Sequence, residues 1–127
     1  MDIEHMPPGF EGENNNIAID FDGVIHEFKG WGDGTCYGKP LEGALEAIKL
    51  LSKKYNVIIF TAKSKPNRPL VEGKTGTELV WEWLKKHNID QYIKEVTAEK
   101  PRACLYIDDK GFRFINWVDT LQFVNSL

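Results

Sequence analysis

The run Asn15-Asn16-Ile17-Ala18-Ile19-Asp20-Phe21-Asp22-Gly23-Val24 changes character at Asp20, where consecutive apolar residues give way to acid, aromatic, acid and glycine. A short apolar run after a polar lead reads as a buried strand. Period-two alternation puts Asp20 and Asp22 on the same side while the backbone stays extended, and Gly23 permits the sharp departure that exposes both side chains. A strand that ends in two carboxylates sets the question for the rest of the chain.

Beyond a Gly-rich passage from Gly23 to Gly38, Pro40 opens a segment in which Leu41, Ala44, Leu45, Ile48 and Leu51 keep helical spacing. Asn56-Val57-Ile58-Ile59-Phe60-Thr61 follows, continuous and β-branched as a strand buried on both faces should be. After a loop rich in Pro, Gly, Lys and Arg, Thr75 and Glu78 fit a capping box that starts a second helix burying Leu79, Val80, Trp83 and Leu84, with Asn88 at its end. Tyr92 to Thr97 is a weaker strand, Ala103 to Ile107 a strong one ending in Asp108-Asp109, and Leu121 to Val124 reads as a last strand. This alternation predicts an α/β fold, a mainly parallel sheet with helices on both faces, whose ligands bind beyond the carboxyl ends of the strands.

The chain has 127 residues, 42% of them apolar or aromatic, which suits one domain over residues 15–127 behind a flexible tail at 1–14. A net charge of −3 argues against broad attraction to nucleic acid or an anionic membrane, so no stable nucleic-acid complex is implied. Cys36 and Cys104 have no metal-ligand spacing and make no disulfide framework, and no apolar stretch approaches the ~20 residues of a membrane span. A cytoplasmic protein without a membrane partner is expected.

Four polar features fall at strand ends or just before a strand: Asp20-Phe21-Asp22-Gly23, Thr61, Lys100-Pro101 and Asp108-Asp109. Gathered at one sheet edge, these acids would repel one another, and an all-oxygen cation site favouring magnesium is the natural compensation. Such a site suits a phosphate monoester, whose negative charge the metal and Lys100 would offset while one acid attacks and the other handles the proton. Lys63, Lys65, Arg68 and Lys74 crowd the loop after Thr61, where Lys63 and Arg68 are candidates to hold the anionic substrate.

The sequence Ile17-Ala18-Ile19-Asp20-Phe21-Asp22-Gly23-Val24 resembles the opening motif of haloacid dehalogenase-like phosphatases, and Thr61, Lys100 and Asp108-Asp109 are similar to the three later motifs, in the same order. The resemblance spans Ile17 to about Trp117 and implies a three-layer Rossmann-like domain. It implies that Asp20 forms an aspartyl-phosphate, while Asp22 protonates the leaving oxygen and then activates water. It further implies that Thr61 and Lys100 bind the phosphoryl oxygens, and that Mg2+ is held by Asp20, the backbone carbonyl of Asp22, and Asp108 or Asp109. Neither interval that could carry a cap domain is long enough for one, so the expected site is open to a phosphorylated small molecule or polymer end.

Each residue also has a plainer reading: acids and glycine in a solvated turn, a strand-end threonine, surface lysines. Trp31 and Tyr37 in the segment after Gly23 suit core packing, with stacking on a nucleobase as the alternative for an exposed aromatic, and His5, His26 and His87 form no ligand spacing. Two rival functions remain open. A phosphorelay receiver combines acids, hydroxyl and lysine in a different chain order, and a catalytically silent module would bind metal or phosphate without turnover.

Overall fold

A computed structural model describes residues 15–99, 101–108, 112–113 and 115–126. The opening apolar run forms strand β1, Asn16–Asp20, with Ile17, Ala18 and Ile19 fully buried. Burial of successive residues, which point to opposite faces, means that both sides of this strand are covered. Strand β2, Asn56–Phe60, repeats the pattern and lies parallel to β1 in a register that sets Asp20 against Phe60. Thr61 is therefore the first residue past the level of Asp20.

Between these strands lies helix α1, Ala44–Leu51, which buries Ala44, Ala47, Ile48 and Leu51 and keeps Leu41 and Leu45 half-buried beside the core. Helix α2, Gly76–Lys86, starts at the expected capping box, in which the Thr75 side chain accepts from the Glu78 amide and the Glu78 carboxylate accepts from the Thr75 amide. It buries Val80, Trp83 and Leu84, with Leu79 half-buried. Its exit turns through Asn88, whose φ of 60° is one that asparagine tolerates better than most residues.

Strands β3, Ile93–Thr97, and β4, Leu105–Asp108, complete the recognisable core, and β5, Phe112–Arg113, adds a two-residue edge. All pairings are parallel, in the order β3-β2-β1-β4-β5. The result is a small α/β, Rossmann-like arrangement. Buried side chains of both early helices join Ile17, Ile19, Val57, Ile59 and Ile107 in one apolar cluster.

The last element corrects a sequence expectation. Leu121 to Val124 is not a strand but part of helix α3, Trp117–Asn125. The Asn116 side chain accepts from the Asp119 amide at 2.8 Å, and Trp117, Thr120 and Val124 turn inward at helical spacing. A four-residue apolar window cannot distinguish strand from helix, and the cap upstream decides it. The tail at 1–14 lies outside the described residues.

Strand order places the site. From β1 the chain moves outward through β2 to β3, then returns to the other side of β1 for β4 and β5. The reversal makes the gap between β1 and β4 the topological switch point, where the loops at the carboxyl ends diverge and leave a crevice.

Candidate active site

At that crevice the two strands end in acids. Ile19 faces Ile107 in the parallel register, so Asp20 and Asp108 are the next residues on adjacent strands, about 4.8 Å apart at the backbone. Asp108 is buried and Asp20 half-buried. One oxygen of Asp20 accepts from the Phe21 amide at 2.8 Å, which pins the carboxylate against the turn that follows.

The turn itself is built on one carbonyl. Phe21 O accepts from the amides of Val24, Ile25 and His26, at 3.3, 2.9 and 2.9 Å, while Gly23 supplies a φ of 81° that a side chain would resist. The Phe21 ring is fully buried, so Asp22, its neighbour, is left at the rim with 16% of its side chain exposed.

Asp22 is held from two sides. Its Oδ1 lies 2.9 Å from His26 Nδ1, and its Oδ2 lies 3.4 Å from Lys63 Nζ. The Gly38 amide donates to the other ring nitrogen, His26 Nε2, at 2.8 Å. An amide can only donate, so Nε2 carries no proton and Nδ1 carries the one on the ring. The His26–Asp22 contact is thus a hydrogen bond from a neutral imidazole, not an ion pair.

Lys63 is the charged partner. It sits in a 3₁₀ turn, Ala62–Ser64, capped by Thr61, whose hydroxyl oxygen accepts from the Lys63 amide at 3.2 Å. This turn folds the lysine inward, and only 1% of the residue is exposed. The ammonium lies 4.5 Å from the centre of the Trp31 ring and 5.8 Å from that of Phe28. Among the described residues its Nζ has no hydrogen-bond partner, so its tie to Asp22 is Coulombic. At an effective dielectric of ~20 that attraction is about 5 kcal/mol gross, opposed by the cost of burying the ammonium.

Of the residues expected from sequence, Asp20, Asp22, Thr61, Lys63 and Asp108 therefore share the carboxyl edge of the sheet. Thr61 is buried and fixed by its own amide, which donates to Thr97 O at 2.9 Å. Arg68 stands further out: its guanidinium lies 4.8 Å from the Trp31 ring centre and its Nε donates to Ala62 O at 3.3 Å. Lys100 and Asp109 lie outside the described residues. Cys36 is nearby but inert, because burial pushes its thiol up to about 12. His26 is the residue that sequence reading passed over. Its spacing from Asp22, across a glycine turn, was the available signal.

Among the described residues no group of three or more His, Cys, Asp or Glu side chains forms a ready metal cage. The chemistry of the donors present is still suited to a hard cation, since Asp20 and Asp108 bring carboxylates to neighbouring strand ends and the turn brings a backbone carbonyl. No helix of the described residues is long and apolar enough to cross a membrane. No protein-family model matches the chain, and no curated protein matches it.

Proposed function

We propose that the chain is a magnesium-dependent phosphatase of the haloacid dehalogenase-like type, which hydrolyses phosphomonoesters through an aspartyl-phosphate on Asp20. The observation that carries this reading is the division of labour at one strand end. Asp20 is at the switch-point crevice, and Asp22, two residues on, is gripped by a neutral donor and a buried ammonium. A solvated turn would have no use for a buried lysine.

Asp22 enters the cycle protonated, having taken a proton from solvent. An Asp20 carboxylate oxygen then attacks phosphorus, and the bond to the leaving oxygen breaks as Asp22 delivers that proton to it. Asp22, now a carboxylate, takes a proton from water, whose oxygen attacks the same phosphorus. The bond between phosphorus and the Asp20 oxygen breaks, which frees inorganic phosphate and restores Asp20. Thr61 donates its hydroxyl proton to a phosphoryl oxygen, a role compatible with its oxygen accepting from Lys63.

Lys63 and Lys100 offset the phosphoryl charge, and Arg68, placed outward beside Trp31, meets the part of the substrate beyond the reacting group. Asp20, the Asp22 carbonyl, and Asp108 or Asp109 would hold Mg2+, which supplies neutralisation of the phosphate charge. A receiver domain is disfavoured because the candidate nucleophile ends the first strand of the described residues and a lysine lies buried against the second acid.

The test is phosphate release from an aryl phosphate. Release should require magnesium, cease on chelation, and be abolished in Asp20→Asn while the circular dichroism spectrum is unchanged. Full turnover in Asp20→Asn would remove the nucleophile from this reading.

A further inference from the structure

We propose that His26 is a positioning residue for the acid-base group of the site, a fixed donor that locks Oδ1 of Asp22 and leaves Oδ2 as the oxygen that exchanges protons. The inference rests on the reading of Asp22 as acid and base, and deepens it by assigning its two oxygens different tasks.

The imidazole is immobilised on every side. It is fully buried, lies parallel to the Phe21 ring at 4.9 Å, and meets the edges of Tyr37 and Trp83 at 5.4 and 5.5 Å. Gly38, which donates to its Nε2, is itself anchored, since its carbonyl accepts from Trp83 Nε1 at 3.0 Å. Helix α2 thereby fixes Gly38, Gly38 fixes the tautomer, and the tautomer presents a proton to Asp22 Oδ1 at 2.9 Å.

A fully buried imidazole must have both ring nitrogens satisfied, so the identity of the partners is what matters. Here both are committed, and one of them to the second acid of the site. The arrangement also excludes a relay. A proton passed from Nδ1 to Asp22 would have to be replaced through Nε2, where the Gly38 amide offers only a donor. His26 therefore orients Asp22 and passes it no proton in the cycle. Lys63 stands near Oδ2 without a hydrogen bond to it, so that oxygen keeps a free edge for the leaving group and then for water.

A carboxylate on two free torsions samples many positions, and misplacement of a catalytic group by about 1 Å can cost roughly a hundredfold in rate. That penalty falls unequally on substrates. A poor leaving group needs its proton in the first transition state, whereas a p-nitrophenolate departs without one.

The experiment compares His26→Phe, which keeps a stacked ring but no donor, with His26→Asn, whose amide N–H can stand where Nδ1–H was. Expected for His26→Phe is a loss in kcat/KM of about 100-fold on a simple alkyl phosphate and less than about tenfold on p-nitrophenyl phosphate, with partial recovery in His26→Asn. Equal losses on both substrates, or none, would overturn the assignment.

A second measurement needs neither variant folding nor activity: long-range proton–nitrogen correlation of the wild-type imidazoles. It should show His26 protonated at Nδ1 alone. Protonation at Nε2 defeats the proposal. If the wild type releases no phosphate with magnesium, the phosphatase reading fails, and the tautomer still decides whether His26 holds Asp22.

Discussion

Replacing Gly76 with alanine should destabilise the protein, against the ordinary rule for helices. Gly76 is the first residue of α2, and the interior preference for alanine over glycine, about 1 kcal/mol, is the most that could be gained there. A Cβ added there would, however, fall inside the van der Waals envelope of the Lys63 carbonyl and 3.2 Å from Lys63 Cα. The obstacle is backbone, which cannot swing aside like a side chain tip. Relief requires the first turn of α2 and the 3₁₀ turn Ala62–Ser64 to separate. Overpacking of this kind costs about 1–3 kcal/mol, and with backbone on the far side the upper figure applies.

Less the gain in helix propensity, the net loss is about 2 kcal/mol. At a urea dependence of about 2 kcal/mol per molar, the unfolding midpoint followed by circular dichroism should drop by about 1 M. A midpoint equal to or above that of the wild type would mean that α2 does not abut the lysine turn, and the placement of Lys63 against Asp22 would fall with it.

The same turn predicts a charge effect: Lys63→Met keeps the aliphatic stem beneath Trp31 and Phe28 but removes the ammonium, and should lower kcat/KM for phosphate release by about 10–100-fold in a folded chain. Unchanged initial rates would show that the buried charge plays no part. The thiols predict an alkaline weakness, because Cys36 is pushed by burial from 9.0 up to about 12 and Cys104 is raised in the same sense. The unfolded chain then loses its thiol protons first, so stability is fully present below the unfolded value and falls as pH rises from about 9 toward 12. Urea midpoints at about pH 8 and pH 10 should fall further in the wild type than in Cys36→Ala, and parallel falls would refute the assignment.

What could be read from sequence was what local pattern controls. The apolar run into Asp20, the β-branched run into Thr61 and the box between Thr75 and Glu78 each announce one element and one boundary, and all three stand where expected. Parallel pairing then brought Asp20 beside Asp108. Leu121 to Val124 misled because so short a window carries no period, while the deciding cap at Asn116 lay upstream.

Lys63 and His26 were less legible for a different reason. A lysine in a polar loop reads as solvated, and only the tight turn after Thr61 drives this one into the interior. The part played by His26 depends on an amide twelve residues along and on the Trp83 ring from α2, contacts that no local spacing encodes.

The turn that carries Asp22 also has a distant support. Val24 O accepts from the indole Nε1 of Trp117, a buried bond at 3.1 Å across 93 positions of sequence. The parallel pairing of Ile17 with Leu105 closes a loop nearly as long, so the two contacts carry similar closure entropy and order along the chain is what separates them. A nascent chain elongated only through β4 would already own Asp20, Asp22, Lys63 and Asp108, yet would lack the buttress behind their turn. The support behind the Asp22 turn should therefore arrive late in synthesis, once Trp117 has emerged and well after Asp20 and Asp22 themselves have been made.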